Sequence, residues 1–187
     1  MKKIILGLVA TTLLLSSCTK ILKLANINVD IPYNQQVTVP AVAGYTQSIA
    51  LPPGGAALAL PSIPFATNSQ IYISQNNTAA NMILDVSLKS LTLQILSPSD
   101  QNFDFLDNIQ VFLSSKTLPE VLVAYQTSVP KGQTTLDLST NPLVNLKDYF
   151  IQDTIYFRLT THINATPLSG TQLNIASVFH MLANPLQ

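Results

Sequence analysis

Apolar and polar residues alternate along two segments near the C-terminus, and this period of two constrains the fold more than any other feature. Ile155–Ile163 places an apolar residue at nearly every second position, and Gln172–Met181 does the same. Successive side chains of a β-strand point to opposite faces, so both segments are typical of strands with one buried face. The linking residues, Asn164–Gly170, favour a hairpin between the two strands.

Shorter stretches of the same alternation recur between turns that contain proline and glycine. Strands are predicted at Ile27–Val39, Gln47–Leu51, Gln70–Ser74, Val86–Leu96, Ile109–Leu113, Val121–Thr127 and Leu136–Leu138. Single helical turns are predicted at Thr78–Leu84, with Thr78 as a cap, and at Asn145–Ile151. Eight to nine short antiparallel strands with little helix predict a mainly β fold, a single β-sandwich of the immunoglobulin-like or jelly-roll type.

One predicted strand changes phase along its length. Within Val86–Leu96, Leu88 has one parity, whereas Leu91 and Leu93 have the other. A strand that keeps one face buried must absorb such a slip. We therefore predict a β-bulge in this strand or a change of sheet.

The segment Leu51–Phe65 is apolar and uncharged, yet it contains four prolines and two glycines. This composition predicts no regular structure through most of it. It is interpreted as a loop packed over an open end of the core, as an exposed surface for a partner or an apolar ligand, or as a disordered segment. The candidate contact residues are Leu51, Leu58, Leu60, Ile63 and Phe65.

Two lysines, an apolar run from Ile4 to Leu15 and two serines precede Cys18, the only cysteine of the chain. The run is shorter than the roughly 20 residues that a membrane-spanning helix needs. A charged start, a short apolar run and small residues are typical of a cleaved secretory signal. The sequence Leu15-Ser16-Ser17-Cys18 resembles the lipobox of bacterial lipoproteins.

This resemblance implies a signal helix at residues 1–17 that is removed after Ser17, and acyl chains on the new N-terminal residue, Cys18. Residues 18–26 would then be a lipidated tether and residues 27–187 the β-sandwich domain. In lipoproteins an aspartate after the cysteine can retain the protein at the inner membrane, so Thr19 favours the outer membrane. The absence of an acidic run after the cysteine favours the periplasmic face over the cell surface. An ordinary signal peptide and an uncleaved anchor are the alternatives.

Charged residues make up 10% of the chain, where about a quarter is usual. Removal of the signal, which contains Lys2 and Lys3, leaves seven basic and nine acidic residues, a net charge of −2. This balance predicts no nucleic-acid partner. With Cys18 lipidated no thiol remains for a disulfide, a metal site or a nucleophile, and no cofactor is predicted.

Two groups of residues resemble metal sites. Asp100–Asp104 matches the D-x-N-x-D start of a calcium loop, but Phe105 and Val111 stand where an EF-hand needs glycine and glutamate. A strand entry capped by aspartates is favoured instead. The two histidines, His162 and His180, would lie about 26 Å apart on the predicted hairpin. They are therefore interpreted as solvent-facing residues, and no metal site is predicted.

The sequence contains no nucleophile elbow, phosphate-binding loop or dinucleotide-binding fingerprint. Asp153-Thr154-Ile155 resembles a bacterial O-glycosylation sequon, although a plain strand start is favoured. We expect a lipid-anchored envelope protein with a non-enzymatic binding or scaffolding role, attached to the membrane through Cys18 and able to bind an envelope protein. The alternatives are a carrier of an apolar ligand or lipid, with Leu51–Phe65 at its mouth, and a glycan-active enzyme with paired carboxylates.

Overall fold

The alternating segments form nine antiparallel strands in the computed structural model, which describes residues 26–39, 51–168 and 170–184. The strands are β1 Ile27–Thr38, β2 Ala56–Ala59, β3 Ile63–Ala66, β4 Ile83–Ser97, β5 Leu106–Ser114, β6 Val121–Gln126, β7 Thr135–Thr140, β8 Thr154–Ile163 and β9 Gln172–Ala183. The helices are α1 Ser69–Gln75 and α2 Lys147–Phe150, with single 3₁₀ turns at Ala80–Met82 and Phe103–Phe105. The predicted mainly β fold is confirmed.

The strands form two layers that are continuous at one side. One layer has the order β1-β9-β4-β7 and the other β6-β5-β8, with β2 and β3 sharing the outer edge of β8. A short pairing between β6 and β7 joins the layers. An immunoglobulin sandwich would place its first two strands in one sheet. Here β1 pairs with β9 and lies in the layer opposite β2, which is the jelly-roll arrangement.

The predicted hairpin between the last two strands is wrong. Strand β8 pairs with β5, β2 and β3, whereas β9 pairs with β1 and β4. The connection at Asn164–Gly170 therefore crosses from one layer to the other. Period-two patterning specifies which side chains are buried, but it does not specify the partner strand.

The core lies between the two layers, and β8 and β9 supply much of it. Every second residue from Ile155 to Ile163 and from Leu173 to Ala183 is buried. Phe157 and Phe179 are each 1% exposed. The predicted alternation along both strands is therefore confirmed.

The phase slip in β4 is a β-bulge, as predicted. Leu88 pairs with Phe179 and Ser90 pairs with Val178, so Lys89 is the extra residue. Lys89 is exposed at the bulge. Leu88 and Leu91, on either side of the bulge, therefore both keep their side chains in the core.

Two local predictions are wrong. The segment predicted as a strand at Gln70–Ser74 lies in helix α1. β3 already occupies the edge of β8, and a helical turn satisfies its own N–H and C=O groups without a partner strand. The helical turn predicted at Thr78–Leu84 is present as the 3₁₀ turn, but Thr78 does not cap it.

The segment Leu51–Phe65 is more regular than predicted, because β2 and most of β3 lie within it. β2 fits between Pro53 and Pro61, and β3 accommodates Pro64 because it is an edge strand. Both strands have β8 as their partner. The strand predicted at Gln47–Leu51 lies outside the described residues except for Leu51. The helical turn predicted at Asn145–Ile151 is confirmed as α2.

Candidate functional site

The outer strands of the two layers face each other along one side of the molecule. β1 is the outer strand of its layer, and β2 and β3 form the outer edge of the other. All pairings are antiparallel, so β1 runs antiparallel to β3 across this gap. We call the gap between β1 and the β2–β3 edge the seam.

A proline on each side keeps the seam from closing into a continuous sheet. Along an antiparallel strand, the N–H groups of successive residues point to opposite sides. The N–H of Val39 bonds to the carbonyl of the residue before β9, so the N–H groups of the odd-numbered residues of β1 point to β9. The nitrogen of Pro32, an even-numbered residue, therefore faces the seam. On the other side, the N–H of Thr67 bonds to the carbonyl of the residue before β8, so the odd-numbered residues of β3 direct their N–H groups to β8. The nitrogen of Pro64 therefore also faces the seam. Each edge therefore lacks one N–H donor. No main-chain pairing joins β1 and β3 over their described length.

Two side chains of β1 bridge the seam instead. The hydroxyl of Tyr33 donates a hydrogen bond to the carbonyl of Thr67, and Gln35 Nε2 donates one to the carbonyl of Pro64 at 3.1 Å. The Tyr33 ring packs edge-on against Phe65, with centroids 4.9 Å apart. Burial raises the pKa of Tyr33 well above its usual range. This part of the seam is bridged by hydrogen bonds, and the rings of Tyr33 and Phe65 are buried in it.

Beyond these bridges the two edges diverge and leave an open groove of about 270 Å³. One wall is Val37–Val39 at the end of β1, and the other is Leu60–Pro64, which joins β2 to β3. Thr38 and Ser62 contribute the only hydroxyl groups of the lining, and no lining residue is charged. The groove therefore presents an apolar surface to the solvent.

A second, smaller cavity of about 30 Å³ lies under the groove, between the two layers. Val39 and Leu60 line both spaces, and the inner cavity continues to Phe103, Phe105 and other apolar core residues. A water molecule needs polar partners to occupy a cavity, and Thr161 supplies the only polar side chain of this lining. The groove and the inner cavity are thus adjacent apolar spaces that share Val39 and Leu60 as lining residues.

The structure divides the five candidate contact residues among different places. Leu60 and Ile63 line the groove, and Leu58 lines the inner cavity. Phe65 is 5% exposed and belongs to the core, while Leu51 packs against the core from its edge. The opposite wall, Val37–Val39, has no local signal in the sequence, because nothing near these residues indicates that the end of β1 lies across from β3.

Each histidine forms a pair with an aspartate beside a β-bulge. His162 Nδ1 lies 2.8 Å from Asp107 Oδ2, and Asp107 is the extra residue of a bulge in β5. His180 Nδ1 lies 2.8 Å from Asp30, which also binds Lys89 Nζ at 2.5 Å. The histidines lie in different layers rather than on one hairpin.

The electrostatic effect of these contacts falls on the aspartates. The bond from His162, followed by that from Asn164, lowers the pKa of Asp107. The bond from Lys89, followed by that from His180, lowers the pKa of Asp30. Within the described ranges neither imidazole bonds to a serine or threonine hydroxyl. The two pairs thus join neighbouring strands, β8 to β5 and β9 to β1.

The residues that resemble a calcium loop form a turn. Asn102 accepts from the N–H of Asp104 and caps the 3₁₀ turn, so the cap is an asparagine rather than an aspartate. Asp104 Oδ1 accepts from the N–H of Gly132 at 2.5 Å, and its carbonyl accepts from Lys131. No group of three metal-ligating side chains occurs in the part of the chain that the structure describes.

The predicted cleavage and lipidation residues, Ser17 and Cys18, lie outside the described residues, as does the rest of the signal helix. Among the helices that are described, none is long and apolar enough to cross a membrane.

No protein-family model matches the chain, and no curated protein matches it. Among solved structures, a chain from Desmodium yellow mottle tymovirus is similar over 87% of this chain and 91% of its own length. The two are 12% identical with a TM-score of 0.27.

Proposed function

We propose that the protein is a lipid-anchored binding protein of the bacterial cell envelope with no enzymatic role. The lipobox resemblance at Cys18 supports the anchor, and Thr19 supports the outer membrane. The absence of an acidic run after Cys18 supports its periplasmic face. The observation that supports a binding role is the groove at the seam, an apolar, uncharged space of about 270 Å³ that opens to the solvent. The groove is concave and apolar, as small-ligand sites usually are, and its volume lies just below the range of about 300 to 1,000 Å³ that is usual for them.

The chemistry of the groove favours an apolar ligand, such as an acyl chain, over a peptide strand. A peptide that joins a sheet edge needs main-chain donors and acceptors on that edge. Pro61 and Pro64 remove N–H donors from one wall of the groove. An alkyl chain needs no hydrogen bonds, and it gains free energy from burial against Val37, Leu60 and Ile63. The binding protein is thus a carrier or receptor for an apolar group.

A blocked groove tests this proposal. Ser62 is exposed at the groove, and Ser62→Trp would place an indole in it, whereas Ser99→Trp places one on an exposed turn elsewhere. Each variant is titrated with parinaric acid, a fatty acid that fluoresces when it leaves water. Ser62→Trp should weaken binding about tenfold or more, a loss of about 1.4 kcal/mol, and Ser99→Trp should bind as the parent does. Equal affinity in all three proteins would contradict a ligand in the groove.

Replacement of Cys18 by serine tests the anchor separately. The variant should leave the membrane fraction and keep its leader, because neither acylation nor cleavage can occur without the thiol. A Cys18→Ser protein that remains membrane-bound and correctly trimmed would refute lipidation. A photo-crosslinker at Ser62 that captures one envelope protein, with no ligand bound in the titration, would favour the scaffolding role instead.

A further inference from the structure

The strand directions define two ends of the sandwich. Asn26 precedes β1 at one end, which we call the tether end. The alternating directions place the end of β9 and the start of β4 at the same end. The loop between β7 and α2 reaches this end, because Asn145 bonds to Val86 and Leu84 near the start of β4. Helix α1, which follows β3, also begins there. The groove at the seam lies toward the opposite end, where β1 finishes.

A leucine protrudes from the tether end. Leu143 lies in the loop between β7 and α2 and is 93% exposed, the largest value among the large apolar side chains of the described residues. Exposure alone is common for a surface leucine. Leu143 differs because the loop that presents it is held at both ends.

Two asparagines fix this loop. Asn141 bonds through its N–H to Val123 and through its side-chain amide to Leu122, and its Oδ1 accepts from the N–H of Leu143 at 3.3 Å. On the other side, Asn145 Oδ1 accepts from the N–H of Lys147 at 2.9 Å, and Asn145 also contacts β4. Leu143 therefore lies in a loop that hydrogen bonds hold on both sides of it.

The other exposed apolar side chains add to the asymmetry. Ile71 on α1, beside the tether end, is 53% exposed. Leu96 and Tyr125 lie toward the opposite end and are 41% and 38% exposed. The most exposed apolar groups thus lie at the end from which the chain leads to Cys18.

We infer that the tether end rests on the lipid bilayer and that Leu143 inserts into the interface. This inference depends on the proposed lipidation of Cys18. Eight residue steps separate Cys18 from Asn26, and a fully extended chain of that length spans at most about 29 Å. The tether end is therefore held close to the lipid surface, and an apolar tip there gains by entering the headgroup region. This orientation turns the groove away from the anchoring membrane.

Tryptophan fluorescence tests the inference, because the chain contains no tryptophan. The acylated full-length protein, purified from membranes, is reconstituted in vesicles of phosphatidylethanolamine and phosphatidylglycerol with or without brominated phosphatidylcholine. The tryptophan of Leu143→Trp should fluoresce at a shorter wavelength in the vesicles than in detergent-free water. The bromine atoms should quench this fluorescence. Leu96→Trp, the matched variant at the opposite end, should be unquenched.

A second tryptophan position is needed because a tryptophan at position 143 could itself strengthen the contact with the lipid. Ile71→Trp should also be quenched in the brominated vesicles, and adding Leu143→Asp should reduce that quenching while the protein stays in the membrane. Equal quenching of Leu143→Trp and Leu96→Trp, or no effect of Leu143→Asp, would overturn the inference. The mass of the purified chain is measured first. A chain without acyl groups overturns the proposed anchor as well, whereas an acylated chain with an unquenched Leu143→Trp overturns only the orientation.

Discussion

Gln35 Nε2 donates a hydrogen bond to the carbonyl of Pro64, 3.1 Å away, across a gap between two strands that share no main-chain pairing. The bond joins the outer strands of the two layers at the seam. Pro64 and Pro32 face the seam and remove the donors that a ladder would need. The open seam is therefore specified by sequence, and the groove is its unclosed part.

Removal of the Tyr33 hydroxyl should weaken the closed part of the seam. Tyr33→Phe keeps the ring against Phe65 but leaves the carbonyl of Thr67 without this donor. We expect a loss of about 1 to 2 kcal/mol in the free energy of unfolding, measured by urea denaturation. Tyr125→Phe, on an exposed ring, is the control and should change it by less than about 0.5 kcal/mol. Equal effects would show that the bond to Thr67 does not stabilise the seam.

Two adjacent glycines make a matched pair. Gly54 and Gly55 both have positive φ, 91° and 84°. A Cβ at Gly54 would meet nothing within 4 Å, whereas one at Gly55 would lie 2.6 Å from the His162 ring and closer still to the carbonyl oxygen of Ile163. Gly54→Ala should cost about 1 to 2 kcal/mol from backbone strain. Gly55→Ala should cost about 1 to 3 kcal/mol more because β2 must move from β8. Thermal unfolding of the two variants measures the difference, and equal losses would refute the close approach.

The contact between Asp107 and His162 should make stability depend on acidity. The pKa of Asp107 is lowered from its ordinary 3.8 in the folded protein. Its contribution is therefore fully present above the unfolded-state pKa and is lost as the pH falls through the folded-state value. The melting temperature should fall below about pH 4, and Asp107→Asn should flatten that part of the profile. Asp100→Asn controls for the loss of a surface carboxylate, and a profile unchanged by Asp107→Asn would exclude this source.

Local patterning predicted the features of this fold that depend on the two faces of a strand. The alternation of Ile155, Phe157 and Leu159 identified their buried face, and the parity change between Leu88 and Leu91 identified the bulge. Both follow from one physical rule: a strand with one solvent-exposed face must keep its apolar side chains on the other face.

The sequence did not predict which strands pair with each other. Asn164–Gly170 has the composition of a hairpin turn, yet it crosses between layers, because β1 and β4 occupy both edges of β9. For the same reason Leu60 and Ile63 were identified as contact residues but Val37 and Val39 were not. Which strand lies across the seam depends on the order of the whole sheet, and no local pattern contains that order.

Deletion of a residue from β4 tests whether the bulge is what keeps the apolar side chains of this strand on one face. Lys89 is the extra residue between the pairs Leu88–Phe179 and Ser90–Val178. Deletion of Lys89 should convert the bulge into a regular ladder while Leu88 and Leu91 both stay in the core. The cost is the exposed ion pair with Asp30, about 0 to 1 kcal/mol, together with a local change of twist.

Deletion of Thr92, three residues further along β4, is the matched control. It lies in a regular stretch that pairs with both β7 and β9, so its loss would turn one half of the strand to the opposite face. We expect the protein without Lys89 to keep its circular dichroism spectrum and a cooperative melt, and the protein without Thr92 to lose both. If both deletions unfold the chain alike, the bulge is required for the fold and is not merely compatible with it.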